Sequence, residues 1–149
     1  MSAASRPLLS ALDKPQILDQ PRWNRDQLEA GIVHIGVGNF HRSHQAYFLQ
    51  RYLQENNENW MIHGIACLDS DAPLVDALSA QNYMYSLIER SSSKADLLVI
   101  GSIKTITHAT KDPESAIEAL AATSTKFISL TITEKGYCHT SSGDLDVEN

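Results

Sequence analysis

The chain has 149 residues, 42% of them hydrophobic, 20% charged and 7% aromatic, with seven glycines and five prolines. That length suits one ordinary domain with a real core, and the composition excludes a disordered chain, a collagen-like repeat and a low-complexity tract. Twelve basic against eighteen acidic residues leave a net charge of −6, and no lysine- and arginine-rich run offers a footprint for a nucleic-acid backbone, so no nucleic-acid partner is expected.

Cys67 and Cys138 lie far apart and follow neither a metal-ligand nor a redox spacing, which suits a reduced, cytoplasmic chain. No stretch reads as a signal peptide or a membrane span, because Asp13, Lys14 and Pro15 interrupt the short apolar run of Leu8, Leu9 and Leu12.

Residues 1–30 read as an irregular lead-in, broken by Pro7, Pro15 and Pro21. Within it, residues 25–30 are predicted as a short helix capped by Asn24 and ended by Gly31. The domain proper is expected over 31–149. It opens with Ile32-Val33-His34-Ile35, an apolar, β-branched run between Gly31 and Gly36 that predicts a buried strand.

From residue 40 to 54 the period changes to that of a helix. Ala46, Leu49 and Leu53 share its apolar face, while Gln45, Gln50, Arg51 and Gln54 are placed toward water. Asn56-Asn57-Glu58-Asn59 stops it. A second strand is predicted over 61–67, and strand, helix and strand within ~35 residues make the size of a βαβ unit. A helix over 72–80 follows, with Asp71 as its candidate N-cap and Pro73 in its first turn. Residues 83–88 and 97–103 are strand-like and suggest a hairpin. Asp112-Pro113 opens a helix running to 122, and 127–133 is β-rich. No repeat emerges. The alternation predicts an α/β fold, a largely parallel sheet with flanking helices.

The informative segment is Gly36-Val37-Gly38-Asn39-Phe40-His41, between a predicted strand and a predicted helix. One glycine permits a tight turn, and a second lets the backbone approach a pyrophosphate without a Cβ in the way. The helix start then offers unpaired N–H groups to the phosphates. The fingerprint is incomplete, since His41 holds the position of the third glycine, whose part is close helix–strand packing. The helix should therefore seat differently here.

An acidic side chain after the next strand would accept hydrogen bonds from the adenosine ribose. Asp69 and Asp71 stand roughly thirty positions after Gly38, beyond the usual ~20, and the long helix with its Asn-rich turn accounts for the excess. An acidic pair repels a 2′-phosphate and no arginine is near to receive one, which favours NAD over NADP. Asp71 has an alternative role as a plain helix cap. His41 and His44, three apart, lack the third ligand that a metal site needs. Arg42 suits a phosphate or carboxylate contact as well as a solvated surface position. His34 reads as a hydrogen-bonded core residue.

The run Ile32-Val33-His34-Ile35-Gly36-Val37-Gly38-Asn39-Phe40-His41-Arg42-Ser43-His44-Gln45-Ala46 strongly resembles the N-terminal signature of the mannitol dehydrogenase family. These are polyol-specific long-chain dehydrogenases, a group that includes fructuronate, tagaturonate and altronate oxidoreductases. Ser129-Leu130-Thr131-Ile132-Thr133-Glu134-Lys135-Gly136-Tyr137-Cys138 resembles the family's strand and loop beside the nicotinamide.

The resemblance implies a Rossmann-like domain, incomplete as it stands, with NAD as cofactor. It implies that Gly36, Val37, Gly38, Asn39, Phe40, His41 and Arg42 wrap the pyrophosphate, with histidine or arginine chemistry replacing the third glycine. Asp71 matches the position facing the adenosine ribose, and Ser70 replaces an acidic neighbour often found there. Thr133 falls in the stretch beside the nicotinamide. Glu134 matches a glutamate associated with a proton path to bulk water; a carboxylate bordering the pocket can relay the proton that polyol oxidation releases. Lys135-Gly136-Tyr137 looks more like the hexuronate reductases than typical mannitol dehydrogenases, which often have Gly-Gly-Tyr.

The family's general base is a lysine, assisted by asparagine and histidine, in a C-terminal half beyond these residues. The polar stretch from Ser141 to Asn149 reads as an interruption within a longer protein. The expectation is thus the NAD-binding part of an oxidoreductase acting on a polyol or sugar-acid substrate, inactive on its own. The alternative is a non-catalytic nucleotide-binding or interaction module. Exposed sheet edges would favour self-association of the isolated chain.

Overall fold

The computed structural model of the chain describes residues 17–56, 58–91, 95–131, 140 and 142–146. In chain order the elements are β1 (Ile17–Asp19), β2 (Ala30–Ile35), α1 (Asn39–Ser43), α2 (Gln45–Glu55), β3 (Met61–Ala66), α3 (Ala72–Ala80), β4 (Tyr85–Arg90), β5 (Ala95–Ile100), β6 (Ile103–His108), α4 (Pro113–Ala121) and β7 (Phe127–Leu130). Four strands form a wholly parallel sheet in the order β6-β3-β2-β7. The other three form a mixed sheet, β1-β5-β4, in which β4 and β5 are antiparallel.

Alternation along the central strands explains why helices cover both faces of the parallel sheet. Val33 of β2 and Ile65 of β3 pack with Ala116 of α4 on one side. Ile62, Ala66 and Ile106 face the other side, against Ala46 of α2, Leu78 of α3 and the inner face of the mixed sheet at Leu98 and Ile100. Asp112 caps α4 by accepting from the Ser115 N–H at 3.0 Å, and Pro113 occupies its first turn.

Several expectations need correction. Residues 25–30 form no helix. Asn24 closes only a turn, accepting from Gln27 N–H at 3.2 Å and, through Oδ1, from Asp26 N–H at 3.0 Å. The Arg25 side chain instead donates to the carbonyls of Gly101 (2.8 Å) and Ile103 (2.7 Å), and β2 already begins at Ala30. Such long-range anchors override a local helix signal.

The single helix expected over 40–54 is two helices, with His44 at φ −121°, ψ −76° between them. Gln50, placed toward water by its polarity, is fully buried. Its Nε2 donates to the Val99 carbonyl (2.6 Å) and its Oε1 accepts from Gly101 N–H (2.7 Å), so both ends are satisfied.

The run 97–103 is not one strand. The chain bends at Gly101-Ser102, where the buried Ser102 hydroxyl donates to the Ala46 carbonyl at 2.6 Å. Ile103 then starts β6, which joins the parallel sheet. The hairpin forms, with Tyr85 opposite Ile100 and Arg90 opposite Ala95. β4 starts at Tyr85 rather than at 83 because Asn82 and Tyr83 take positive φ (54° and 57°). There Tyr83 N–H closes α3 on the Leu78 carbonyl at 2.7 Å. Along β7, Phe127, Ile128 and Leu130 are each about half exposed. No helix among the described residues is long and apolar enough to cross a membrane.

Candidate active site at the switch point of the parallel sheet

From β2 the chain builds outward through β3 to β6, then returns to lay β7 on the opposite side of β2. The strand order reverses beside β2, and open α/β sheets bind ligands outside the carboxyl ends of their strands at such a point. Gly36 to His41 leave β2 there. Gly36 N–H donates to the Ile65 carbonyl at 2.8 Å, and Gly36 has φ +94°, a conformation that side-chain-bearing residues rarely adopt. Gly38 is extended (φ −65°, ψ −178°) and precedes α1 as its N-cap. Among the described residues nothing stands within 4 Å of a Cβ built on either glycine. The turn therefore faces open space.

Val37 points the other way and is buried in the core. It lies so close to β3 that a Cβ on Gly64 would come 2.5 Å from Val37 Cγ1. Close packing, the usual part of the third glycine, is thus supplied partly by Gly64 on the neighbouring strand. His41 at that third position is also buried. Its ring stacks on His34 of β2 with centroids 4.0 Å apart and planes 9° from parallel. Two stacked rings fill the helix–strand gap, and the helix breaks at His44 one turn later.

Arg42 folds back over the turn. Its guanidinium donates to the Val37 carbonyl and to Asn39 Oδ1 (2.5 Å), while its backbone carbonyl accepts from the Tyr85 hydroxyl at 2.6 Å. Burial pushes the Tyr85 phenol well above its ordinary value, so it stays a neutral donor. Phe40 is exposed and stacks on His44, centroids 4.4 Å apart. His41 and His44 therefore do not converge, and no group of three His, Cys, Asp or Glu among the described residues is placed to hold a metal ion.

A crevice of about 370 Å³ opens beside the turn, lined by His34, Phe40, His41, Gln45, Ser129, Leu130 and Thr131. Its polar groups form one network. His41 Nδ1 meets Gln45 Oε1 at 2.9 Å, Gln45 Nε2 donates to Ser129 Oγ at 3.1 Å, and Ser129 Oγ meets His34 Nδ1 at 2.8 Å. His34 Nε2 lies 3.3 Å from Thr131 Oγ1. Burial first, then the neighbouring His34 and Arg42, push His41 down to about 4, against a smaller opposing pull from Gln45. Burial likewise lowers His34. Both rings are neutral at neutral pH. His41 Nε2 is buried and has no hydrogen-bond partner among the described residues.

A somewhat larger crevice, about 440 Å³, lies beside β1 and α2. It carries Asp19, Arg22, Arg51, Glu55, Glu89 and Asp96, charges of both signs, and shares no residue with the glycine turn.

The acidic pair sits at the carboxyl end of β3, in a short 3₁₀ turn over Asp69–Asp71. Asp69 Oδ1 accepts from the Thr110 hydroxyl at 2.7 Å, and Asp71 Oδ2 accepts from Leu68 N–H at 3.1 Å. Asp71 makes no side-chain capping bond to α3, so the plain cap role does not hold. Thr133 and Glu134, with Lys135-Gly136-Tyr137, lie outside the described residues.

Sequence reasoning placed His34 in the core but missed Gln45, Ser129 and Thr131 as parts of the site. A signal existed: Ser129 and Thr131 alternate on one face of an otherwise apolar strand.

Comparisons with known proteins agree with this fold. A family profile described as the mannitol dehydrogenase Rossmann domain matches residues 30–147. A mannitol dehydrogenase of Saccharomyces cerevisiae is 42% identical over 120 residues, covering 80% of this chain and 24% of its own. The D-mannonate oxidoreductase of Escherichia coli is 37% identical over 133 residues, 87% of this chain and 27% of its own. Among solved structures, the mannitol 2-dehydrogenase of Pseudomonas fluorescens in ternary complex with NAD and D-mannitol superposes with a TM-score of 0.78 at 35% identity. That match covers 88% of this chain and 27% of the other. The chain thus spans about a quarter of the length of the curated relatives it matches. It belongs to the mannitol dehydrogenase family, of which it carries the Rossmann domain.

Proposed function

We propose that this chain is the NAD-binding, N-terminal part of a longer oxidoreductase that moves hydride between the secondary alcohol of a polyol or hexonate and a nicotinamide cofactor. The observation that carries the reading is the glycine turn. At the carboxyl end of the central parallel strand, Gly36 and Gly38 leave open the volume that side chains would fill, which fits a pyrophosphate. Gly36, Val37, Gly38, Asn39, Phe40, His41 and Arg42 form this seat. Early N–H groups of α1 lack intrahelical acceptors, and Arg42, bonded to Val37 and Asn39, holds a positive charge against the turn. Asp69 and Asp71 accept from the adenosine ribose hydroxyls and repel a 2′-phosphate, which selects NAD over NADP.

Bound NAD supplies the hydride acceptor. The chain's own residues bind and orient it, and they keep uncompensated charge out of the crevice, since His34 and His41 are neutral. Thr133 would contact the nicotinamide side, and Glu134 would relay the hydroxyl proton to bulk water. The relatives' printed names, mannitol dehydrogenase and D-mannonate oxidoreductase, support a polyol or sugar acid as substrate.

The catalytic lysine implied by the family resemblance lies beyond these residues. The 149-residue chain should therefore bind NAD and show no turnover. The longer protein should oxidise a polyol or hexonate with NAD and lose coenzyme affinity on Gly38→Val, as a rise in coenzyme KM. An unchanged coenzyme KM in that variant refutes the assignment of the turn, and turnover by the 149 residues alone refutes the division of labour.

A further inference from the structure

The hydrogen-bond chain at the switch point has a direction. Gln45 Nε2 donates to Ser129 Oγ (3.1 Å), so Gln45 Oε1 is free to accept, and the proton between it and His41 sits on His41 Nδ1 (2.9 Å). Ser129 Oγ accepts from Gln45 with one lone pair and lies 2.8 Å from His34 Nδ1, where it can donate its own hydrogen or accept a second one. Where the hydroxyl donates, His34 carries its proton on Nε2, facing Thr131 Oγ1 at 3.3 Å. In that arrangement every donor points the same way, from the helix that follows the glycine turn, across the face of β2, to the end of β7. The two stacked rings then hold opposite tautomers, His41 protonated on Nδ1 and His34 on Nε2. Bonds aligned head to tail polarise one another in a partly buried site.

This series joins three elements. His41 belongs to the turn, His34 to the central strand, and Ser129 to β7, whose Ile35–Leu130 pairing closes the strand ends. Nothing else in the α1 helix ties it to β7 among the described hydrogen bonds. Among the described residues His41 Nε2 has no hydrogen-bond partner, and the ring's described hydrogen bond is the one to Gln45.

We propose that Ser129 and Gln45 are positioning residues for cofactor binding: with His34 and His41 they form a one-way hydrogen-bond clasp that fastens the glycine turn to the end of β7. The inference rests on the reading of that turn as the NAD phosphate seat. A turn held in its binding shape before the ligand arrives pays less ordering cost on binding. Loss of the clasp therefore weakens NAD binding, although neither Ser129 nor Gln45 needs to touch the cofactor.

The test combines ring signals with titration on the 149-residue chain. Histidine-ring ¹⁵N spectra without ligand should show His41 as the Nδ1–H tautomer and His34 as the Nε2–H tautomer. In Ser129→Ala, which removes one small hydroxyl, His34 should become a tautomer mixture and the backbone signals of Gly36 to Arg42 should shift. Ser129→Thr, which restores the hydroxyl, should return both. Calorimetric titration should give NAD binding weaker by about three- to tenfold in Ser129→Ala and in Gln45→Leu, the size of one or two lost hydrogen bonds, with Ser129→Thr near the parent. Ring signals unchanged by Ser129→Ala, or changes confined to β7, overturn the clasp, as does parental NAD affinity in both broken variants. A parent chain that binds no NAD defeats the cofactor reading instead, and the ring and backbone signals then still decide whether the clasp exists.

Discussion

The two candidate cofactor contacts are built on opposite plans. The glycine turn is fixed from within: Val37 and His41 are buried, Arg42 is bonded back onto the turn, and Gly38, Asn39 and Phe40 are exposed. The acidic turn is fixed from the surface, Asp69 accepting from the Thr110 hydroxyl and Asp71 from the Leu68 N–H. A phosphate seat made of backbone must be held rigid by its neighbours, whereas a ribose contact made of two carboxylates needs only to be present. In the first plan the buried side chains that hold the seat couple function to stability, whereas the open glycine positions and the acidic turn leave them separable.

Four changes would sharpen or break that contrast. The largest effect is expected from Gly64→Val, because even a Cβ would stand 2.5 Å from Val37 Cγ1 and 3.2 Å from Ile106 Cγ1. Overpacking there should cost about 3 kcal/mol, read as a fall in the denaturant midpoint, and a midpoint equal to the parent's would mean the turn is not wedged against β3. Acid should act on the same region. His41 titrates at about 4 in the fold and near 6.5 when unfolded, so the unfolded chain takes up the proton first. The stability that goes with a neutral His41 is complete above pH 6.5 and is lost as pH falls toward 4, by on the order of 3 kcal/mol. Melting curves of parent and His41→Gln should converge over that window; parallel pH profiles would contradict it.

The acidic turn should behave otherwise. Asp71→Ser, with or without Asp69→Ser, is expected to leave the melting temperature within a degree or two while reducing the NAD-over-NADP preference about tenfold, by removing a repulsion of roughly 1.4 kcal/mol. A fallen melting temperature with intact preference would reverse the roles assigned to the two turns. The smallest effect belongs to a true cap. Asp112→Ala removes the bond to Ser115 N–H, and its melting temperature should drop slightly at pH 7. Hydrogen bonds to Ser115 hold the Asp112 carboxyl below its ordinary value, so that contribution exists above the unfolded carboxylate range and disappears as pH falls below it. A deficit that persists in acid would argue against the cap.

The sequence made the central strand, the glycine turn and the flanking helices legible because their signals are local: a β-branched run, a glycine pair and a 3.6-residue period. What it concealed depends on partners far along the chain. Gln50 looks like a solvent residue until Val99 and Gly101 supply both of its hydrogen bonds. Residues 97–103 look like one apolar strand, yet Ser102 anchors to Ala46 and starts a new strand in the other sheet. Arg25 was read into a local helix, whereas its guanidinium fastens the connection between the two sheets. His41 was legible as the departure from the glycine fingerprint, but its stack on His34 and the bonds through Gln45 and Ser129 appear only when β2 and β7 lie side by side.

The most direct test of the account is calorimetric titration of the parent chain and Gly38→Val with NAD, alongside their thermal melts. Among the described residues nothing stands within 4 Å of a Cβ on Gly38, and its extended backbone suits any residue. The variant should therefore melt like the parent while losing NAD affinity by about a hundredfold or more. Equal NAD binding by two equally stable proteins would contradict the claim that this turn seats the cofactor.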